Sequence, residues 1–269
     1  MKSKILIFLG MMAINSIVFA QSLIPVAAPL KATKLVSNVI VGQATTSATT
    51  PISIQGPQAR TFNSSGPVYK GDVINSASGQ TIKVTFTDQS EIWIAPQTNF
   101  SIQEFKVTPA KREALFHVEV GSVRALVQRR SSEKVNVIIH TRSATMGVRG
   151  TEFFVQTDKN QKTSLYTLDG SVAIAKSVKA LNDAKSTRLV EKGKYSSCTV
   201  AQLLPSASKK YNPKELKEKL QSISPEIASS VKEKHDARVK ANKEANKQNP
   251  KKEFTPDKPK RKPKAKVKK

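Results

Sequence analysis

The chain has 269 residues, which is enough for one or two domains of ordinary size. Its hydrophobic share of 38% lies below the roughly 45–50% of a typical globular chain, and its formal net charge is +25. Part of the chain is therefore predicted to lie outside any packed core. The single cysteine, Cys198, excludes an internal disulfide framework and is predicted to be a small core or strand-end residue.

The first 20 residues have the composition of a secretory signal peptide. Two lysines near the start precede an apolar stretch of about 15 residues, and Val18, Phe19 and Ala20 fit a signal-peptidase site. The alternative is a membrane anchor, but a span needs about 20 apolar residues, and Asn15 and Ser16 interrupt this stretch. We expect a signal peptide at 1–20, a location in the periplasm or cell envelope, and no integral membrane span after cleavage.

Residues 21–58 are predicted to be a flexible leader because they are rich in Ala, Thr, Ser and Pro. Residues 59–200 instead show short β-type runs separated by turn residues. In one run, Ile82, Val84 and Phe86 alternate with polar residues and so lie on one face of a strand. Many short strands at spacings of about 8–12 residues are typical of an all-β domain, here a sandwich or a β-solenoid.

The C-terminal quarter changes character. Residues 206–248 are predicted to be weakly helical and charged, with one short helix capped at Asn212 and Pro213, and a second, marginal and solvated helix starting near Ser224. Residues 249–269 are rich in Lys, Arg and Pro and are predicted to be disordered, because few apolar residues oppose the repulsion of like charges.

The motifs of the β-region occur in a recognisable order. Gly71-Asp72, Asp88-Gln89-Ser90, Gly121-Ser122-Val123, Gly147-Val148-Arg149-Gly150-Thr151-Glu152-Phe153 and Leu168-Asp169-Gly170 follow one another between short strands. This layout resembles that of the FecR family, and the resemblance covers about half of the chain. The residues that carry it, which we expect to be structural, are Gly71, Asp72, Asp88, Ser90, Gly121, Gly147, Val148, Arg149, Gly150, Thr151, Phe153 and Gly170.

The resemblance implies an exported β-domain used in envelope sensing or scaffolding. Gln89 stands where the family has glycine, and Arg142 where it often has proline. The classical iron-signalling members carry a cytoplasmic helical segment and a membrane span before this domain. Neither is expected here, so sigma-factor signalling cannot be carried over from the resemblance. Fold transfers better than function between such relatives.

The sequence shows few residues arranged for catalysis or metal binding. The only histidines, His117, His140 and His235, do not show zinc-ligand spacing, so neither an enzyme nor a cofactor is expected. Arg149 is predicted to tie a corner of the fold between two glycines, since its planar fork of donors can bind carbonyls or a carboxylate. Trp93 lies on the strand face opposite its neighbouring isoleucines, which indicates either a second packed layer or a ligand contact.

The basic tail suggests a binding function. Residues 209–269 contain 21 Lys and Arg against 8 Asp and Glu, an excess of 13 that is about half of the total charge. The predicted binding residues for an anionic surface are Lys258, Lys260, Arg261, Lys262, Lys264, Lys266, Lys268 and Lys269. The sequence thus favours a noncatalytic envelope protein that binds an envelope protein or an anionic envelope polymer or lipid. A merely solvated tail remains an alternative, as does nucleic-acid binding if the signal peptide is misread.

Overall fold

The computed structural model describes residues 39–129 and 134–248. The predicted signal peptide (1–20) and disordered tail (249–269) lie outside the described residues. The strands are β1 (Ile40–Thr45), β2 (Ile52–Gln55), β3 (Arg60–Phe62), β4 (Ser65–Tyr69), β5 (Val73–Asn75), β6 (Ile82–Phe86), β7 (Glu91–Ile94), β8 (Asn99–Val107), β9 (Lys111–Leu126), β10 (Lys134–His140), β11 (Thr145–Val148), β12 (Glu152–Thr157), β13 (Thr163–Asp169), β14 (Ser171–Ala175), β15 (Arg188–Glu191), β16 (Lys194–Cys198) and β17 (Lys209–Lys210). The helices are α1 (Val178–Leu181), α2 (Pro213–Ile223) and α3 (Pro225–Gln248).

Two β-sheets share the long strand β9. Sheet A has the order β4-β1-β6-β7-β9-β12-β13-β16-β17. Sheet B has the order β3-β2-β5-β8-β9-β10-β11-β14-β15. Residues 112–120 of β9 pair within sheet B and residues 121–126 within sheet A. Neighbours are antiparallel except β9 with β10.

The hydrophobic core lies between the two sheets. Val84 and Phe86 of sheet A and Phe100 and Phe116 of sheet B belong to one buried cluster. The rings of Phe86 and Phe116 are 5.1 Å apart between their centroids, so they make contact across the sandwich. Full burial of each such side chain contributes roughly 1.5–3 kcal/mol. The all-β fold of many short strands is confirmed.

The order of strands explains why the sequence pattern fitted both a sandwich and a solenoid. After the first four strands, both sheets add strands in chain order. The chain therefore passes back and forth between the sheets while it advances in one direction. The packing is that of a sandwich, and the winding resembles that of a solenoid.

The predicted leader contributes strands to the domain. Within 21–58, residues 40–45 form β1 and residues 52–55 form β2. Ala44 and Ile52 are fully buried in the core between the sheets. This corrects the prediction of a flexible leader for these residues, whose alternation was too short to be recognised among threonines and serines.

The second C-terminal helix is also more than a solvated segment. α3 has 24 residues, and its Ile227 is fully buried. The prediction of a marginal helix rested on the scarcity of apolar residues in α3 itself. Tertiary packing against sheet A supplies the stabilisation that the isolated helix lacks.

Gly121 marks the point at which β9 leaves sheet B and enters sheet A. Its φ of +105° is a conformation that L side chains rarely adopt. A Cβ atom there would lie 2.5 Å from the Cα atom of Thr98. Backbone geometry and space both require glycine at this crossover.

Replacing Gly121 with alanine is expected to lower the free energy of unfolding by about 3 kcal/mol, the sum of backbone strain and overpacking. Gly79→Ala is the matched control, because Gly79 also has a positive φ, +71°, but a Cβ atom on Gly79 would meet no other atom within 4 Å. The control should lose about 1 kcal/mol from strain alone. Denaturant unfolding measures both losses, and equal losses would contradict the account of Gly121.

Candidate functional site

The strongest sequence motif lies where the chain passes twice between the sheets. β11 of sheet B leads to β12 of sheet A, and β13 of sheet A leads to β14 of sheet B. Gly150 and Gly170 lie at these crossovers with φ of +64° and +76°. A Cβ atom on Gly170 would lie 2.8 Å from Thr151 Cγ2. Gly150, Thr151 and Gly170 therefore pack together as a structural corner.

The other residues of this motif divide into buried and exposed positions. Val148 and Phe153 are buried between the sheets. Gly147 lies within β11, and a Cβ atom there would meet Leu181 at 3.4 Å and the Cβ atom of Ala173 at 3.9 Å, both ordinary contacts. Arg149 is exposed and makes no hydrogen bond or ion pair in the described part of the chain. No described residue is its partner in the predicted corner tie, which stays a prediction.

Asp72 stabilises the turn that follows β4. Its carboxylate is 1% exposed and accepts a hydrogen bond from the Tyr69 backbone N–H at 2.7 Å. Both terminal nitrogens of Arg60 donate to the same carboxylate, one of them at 3.0 Å to Oδ1. The Arg60 guanidinium also lies 4.5 Å from the centroid of the Tyr69 ring. Gly71, with φ of +90°, turns the chain into this arrangement.

Asp88 forms a second buried anchor. It accepts hydrogen bonds from the Ser90 backbone N–H at 2.9 Å and from Ser90 Oγ at 2.8 Å. Arg112, which is fully buried, donates to Asp88 at 2.6 Å and to the Gln128 carbonyl at 2.6 Å. Between Asp88 and Ser90, Gln89 takes the left-handed conformation with φ of +66°, at the position where the family has glycine.

The arginine partners of these aspartates could not be identified from the sequence. Arg60 lies 12 residues from Asp72, and Arg112 lies 24 residues from Asp88. Local turn chemistry identifies an aspartate that caps its own backbone, but it gives no information on a partner from another strand. The only available signal was the position of Arg112 within an otherwise alternating run.

Helices α2 and α3 cover the outer face of sheet A, which we call the helix-covered face. Ala95 and Phe154 of the sheet pack with Leu216, Leu220 and Ile227 of the helices in a second hydrophobic cluster. Trp93 is partly buried against this cluster. Of the two interpretations of Trp93, the second packed layer is therefore the one observed.

A buried ion pair lies under α3 on this face. Arg124 and Glu152 are each 2% exposed, and Arg124 donates to Glu152 Oε1 through Nε at 3.0 Å and Nη2 at 2.7 Å. The remaining terminal nitrogen of Arg124 donates to Ser230 Oγ of α3 at 3.0 Å. Arg238 of α3 lies 2.7 Å from Glu152 Oε2. The pair therefore joins both sheet strands to the helix.

The start of α3 is held by a second polar contact. Thr81, Ser224 and Glu226 form a triangle in which Thr81 Oγ1 is 2.8 Å from Ser224 Oγ and 3.0 Å from Glu226 Oε2. Thr81 and Ser224 are buried. Together with the ion pair, this contact fixes the position of α3 along the sheet.

A groove of about 590 Å³ opens between α2, α3 and sheet A. We call it the helix groove. Its apolar wall is formed by Leu168, Leu216, Leu220 and Val231. Glu152 and Arg238 reach the same groove from the ion pair. It is a concave site that combines an apolar wall with polar and charged side chains, as ligand sites do.

The outer face of sheet B carries a different cluster. His117 and His140 are paired neighbours on the parallel strands β9 and β10. His117 Nε2 lies 2.8 Å from Glu119 Oε2, and Arg142 donates to the other oxygen of Glu119. The hydrogen bond with His117 lowers the pKa of Glu119, and Arg142 lowers it further. Burial, followed by the neighbouring His117, lowers the pKa of His140.

Cys198 lies at the end of β16 and is fully buried, as predicted. Burial raises the pKa of its thiol. Within residues 39–129 and 134–248, no group of three His, Cys, Asp or Glu side chains is placed to hold a metal ion. No helix of this described part is long and apolar enough to cross a membrane. The predicted surface-binding lysines and Arg261 lie outside the described residues.

Residues 72–173 match the model of the family described as FecR protein. The chain carries a FecR domain. The match begins at the Asp72 anchor and ends within β14, so it includes the shared strand β9 and the double crossover. The sandwich extends beyond the FecR domain at both ends, because β1–β4 precede it and β15–β17 follow it.

Two solved structures of a proposed anti-sigma factor from Parabacteroides distasonis, at 1.65 and 2.50 Å resolution, are similar to this chain. Each is 19% identical, with a TM-score of 0.43 and coverage of 55% of this chain. The chain spans 64% of the length of those solved chains. A search of the curated proteins finds no match.

Because its ion pair is buried, Glu152→Gln is expected to destabilise the protein strongly. The change leaves Arg124 buried without a counter-charge, which should lower the free energy of unfolding by about 3 kcal/mol. Glu191→Gln is the control, since Glu191 pairs with Lys194 at the surface and its loss should be much smaller. Denaturant unfolding compares the two, and a loss at Glu152 as small as the control would show that the pair does not hold α3.

The lowered pKa of His140 predicts acid sensitivity. Because the unfolded chain binds this proton at higher pH than the folded protein, His140 should destabilise the fold as pH falls below about 6.5. His140→Gln should therefore reduce the drop in melting temperature between about pH 7.5 and about pH 5.5. An identical drop in wild type and His140→Gln would refute this assignment.

Proposed function

We propose that this chain is a noncatalytic cell-envelope protein whose FecR domain binds a partner for sensing or scaffolding. In this proposal the basic tail attaches the protein to an anionic surface of the envelope. The observation that carries the proposal is the FecR domain at residues 72–173, in a chain that has a predicted signal peptide and a strongly basic C-terminal quarter. The partner is an envelope protein, or an anionic envelope polymer or lipid.

The use of the buried charges supports a noncatalytic role. Asp72, Asp88 and Glu152 are almost fully buried, and each pairs with an arginine. All three hold turns, strands and a helix in place.

The exposed edge of sheet B supports a binding role. β15 pairs with β14 on one side and is the last strand of this sheet in the described part of the chain. Leu189 of β15 is 56% exposed. An open strand edge offers backbone hydrogen bonds to an added strand, and an exposed leucine offers an apolar contact beside them.

The composition of the tail supports attachment to an anionic surface. Residues 249–269 contain 10 Lys and Arg against 2 Asp and Glu. Each basic residue near an anionic lipid surface is worth about 1 kcal/mol, and the attraction falls off within a Debye length of about 8 Å at physiological salt. Export would place lipid phosphates and acidic polymers within reach and nucleic acid out of reach.

Crosslinking in living cells tests this proposal. A photo-crosslinking residue would replace Leu189, and in a control it would replace Lys159, which is exposed in the turn between β12 and β13. Both positions would be tested in the full chain and in a chain ending at Gln248, which retains α2 and α3 on the helix-covered face. Mass spectrometry would identify the products and the N-terminus of the mature protein.

The proposal predicts that position 189 captures one discrete envelope protein in both chains, and that position 159 captures much less of it. The mature chain should start at Gln21. Capture of only lipid, wall polymer or nothing would contradict partner binding by the domain. Retention of residues 1–20 together with capture of nucleic acid would replace the proposal with its alternative.

A further inference from the structure

The charges around the helix groove are predominantly positive. Lys217 of α2 and Lys232 and Arg238 of α3 line it. Lys217 and Lys232 are exposed, and neither forms an ion pair with another residue of the described chain. Their charges are therefore available to a ligand.

The groove contains one carboxylate from the described residues, that of Glu152, and it is already compensated. Glu152 Oε1 accepts two hydrogen bonds from Arg124, and Oε2 lies 2.7 Å from Arg238. An anion entering the groove would thus meet the unpaired lysines rather than an uncompensated negative charge. The electrostatics select an anionic ligand.

The apolar wall of the groove favours a ligand that also has an aliphatic part. Leu168, Leu216, Leu220 and Val231 line it, and Leu168 and Val231 are only partly buried, so they keep apolar surface in contact with water. A purely polar anion would leave this wall in contact with water. An aliphatic chain would cover it, at roughly 25 cal/mol for each Å² of apolar surface removed from water.

We propose that the helix groove binds a single-chain amphiphile with an anionic head group, its chain against the apolar wall and its head near Lys217 and Lys232. The volume of about 590 Å³ lies within the roughly 300–1,000 Å³ of small-ligand sites. A fatty acid and a lysophospholipid share this chemistry. The site is separate from the β15 edge and from the tail, so it extends the proposed function without depending on it.

Calorimetric titration of the full chain tests this inference, with palmitate and lysophosphatidylglycerol as probes below their critical micelle concentrations. The expected result is one molecule bound per chain. A monoacylglycerol with the same chain but no charge should bind at least about tenfold more weakly, because it cannot pair with the two lysines. The two anionic probes together distinguish a carboxylate from a phosphate head group.

The decisive variants reverse charges at exposed positions, so that folding is preserved. Lys217→Glu with Lys232→Glu changes the groove, and Lys214→Glu with Lys240→Glu makes the same net change on the same helices outside it. The groove pair should weaken binding about tenfold, and the control pair less than about twofold. The matched net charge also removes any contribution from general attraction of the basic chain.

Three outcomes would overturn the inference. The first is an equal loss of affinity in the groove pair and the control pair. The second is equal binding of charged and uncharged amphiphiles. The third is the absence of amphiphile binding, including the case in which an acidic amphipathic peptide binds the groove instead. None of these results would change the crosslinking result at position 189, so the two proposals fail separately.

Discussion

The helices and the β-sandwich are joined by the buried pair of Arg124 and Glu152. Two charged groups that are each 2% exposed must be compensated by protein partners, because they are almost completely removed from water. The sheet supplies the ion pair itself, and α3 supplies Ser230 and Arg238. If α3 were absent, these groups would face solvent. The ion pair therefore fixes where the helix lies, while Ile227 and its apolar neighbours provide most of the stabilisation.

This arrangement shows that much of the C-terminal quarter of the chain is folded. α2 and α3 are part of the folded domain, since they bury Phe154 and cover Trp93. The basic residues on their outward surfaces are held in fixed positions beside the helix groove. The fold therefore determines where these charges lie, whereas a solvated, unfolded segment would leave them without fixed positions.

The sequence predicted the parts of the fold that depend on local patterns. The alternation of Ile82, Val84 and Phe86 identified a strand face, and the position of Trp93 identified a second layer as one alternative. The partners of Asp72 and Asp88 were missed because they come from distant strands. α3 was underestimated for the same reason, since its packing surface lies on strands more than 60 residues earlier. Arg149, which was predicted to tie a corner of the fold, is exposed.

The residues of the FecR signature have structural positions in the domain and do not identify a ligand. Gly150, Thr151 and Gly170 pack at the double crossover, and Val148 and Phe153 lie in the core. The β15 edge and the basic tail lie outside residues 72–173, and the helix groove forms where α2 and α3 cover the domain.

Hydrogen exchange of the full chain, followed by mass spectrometry, tests most directly whether the helices belong to the domain. The account predicts that amides of residues 225–238 exchange as slowly as those of β7 and β12, because the ion pair and Ile227 hold this half of α3 on the sheet. Residues 239–248 should exchange faster and serve as the internal reference. Rapid exchange throughout α3, with the sheet still protected, would contradict the account.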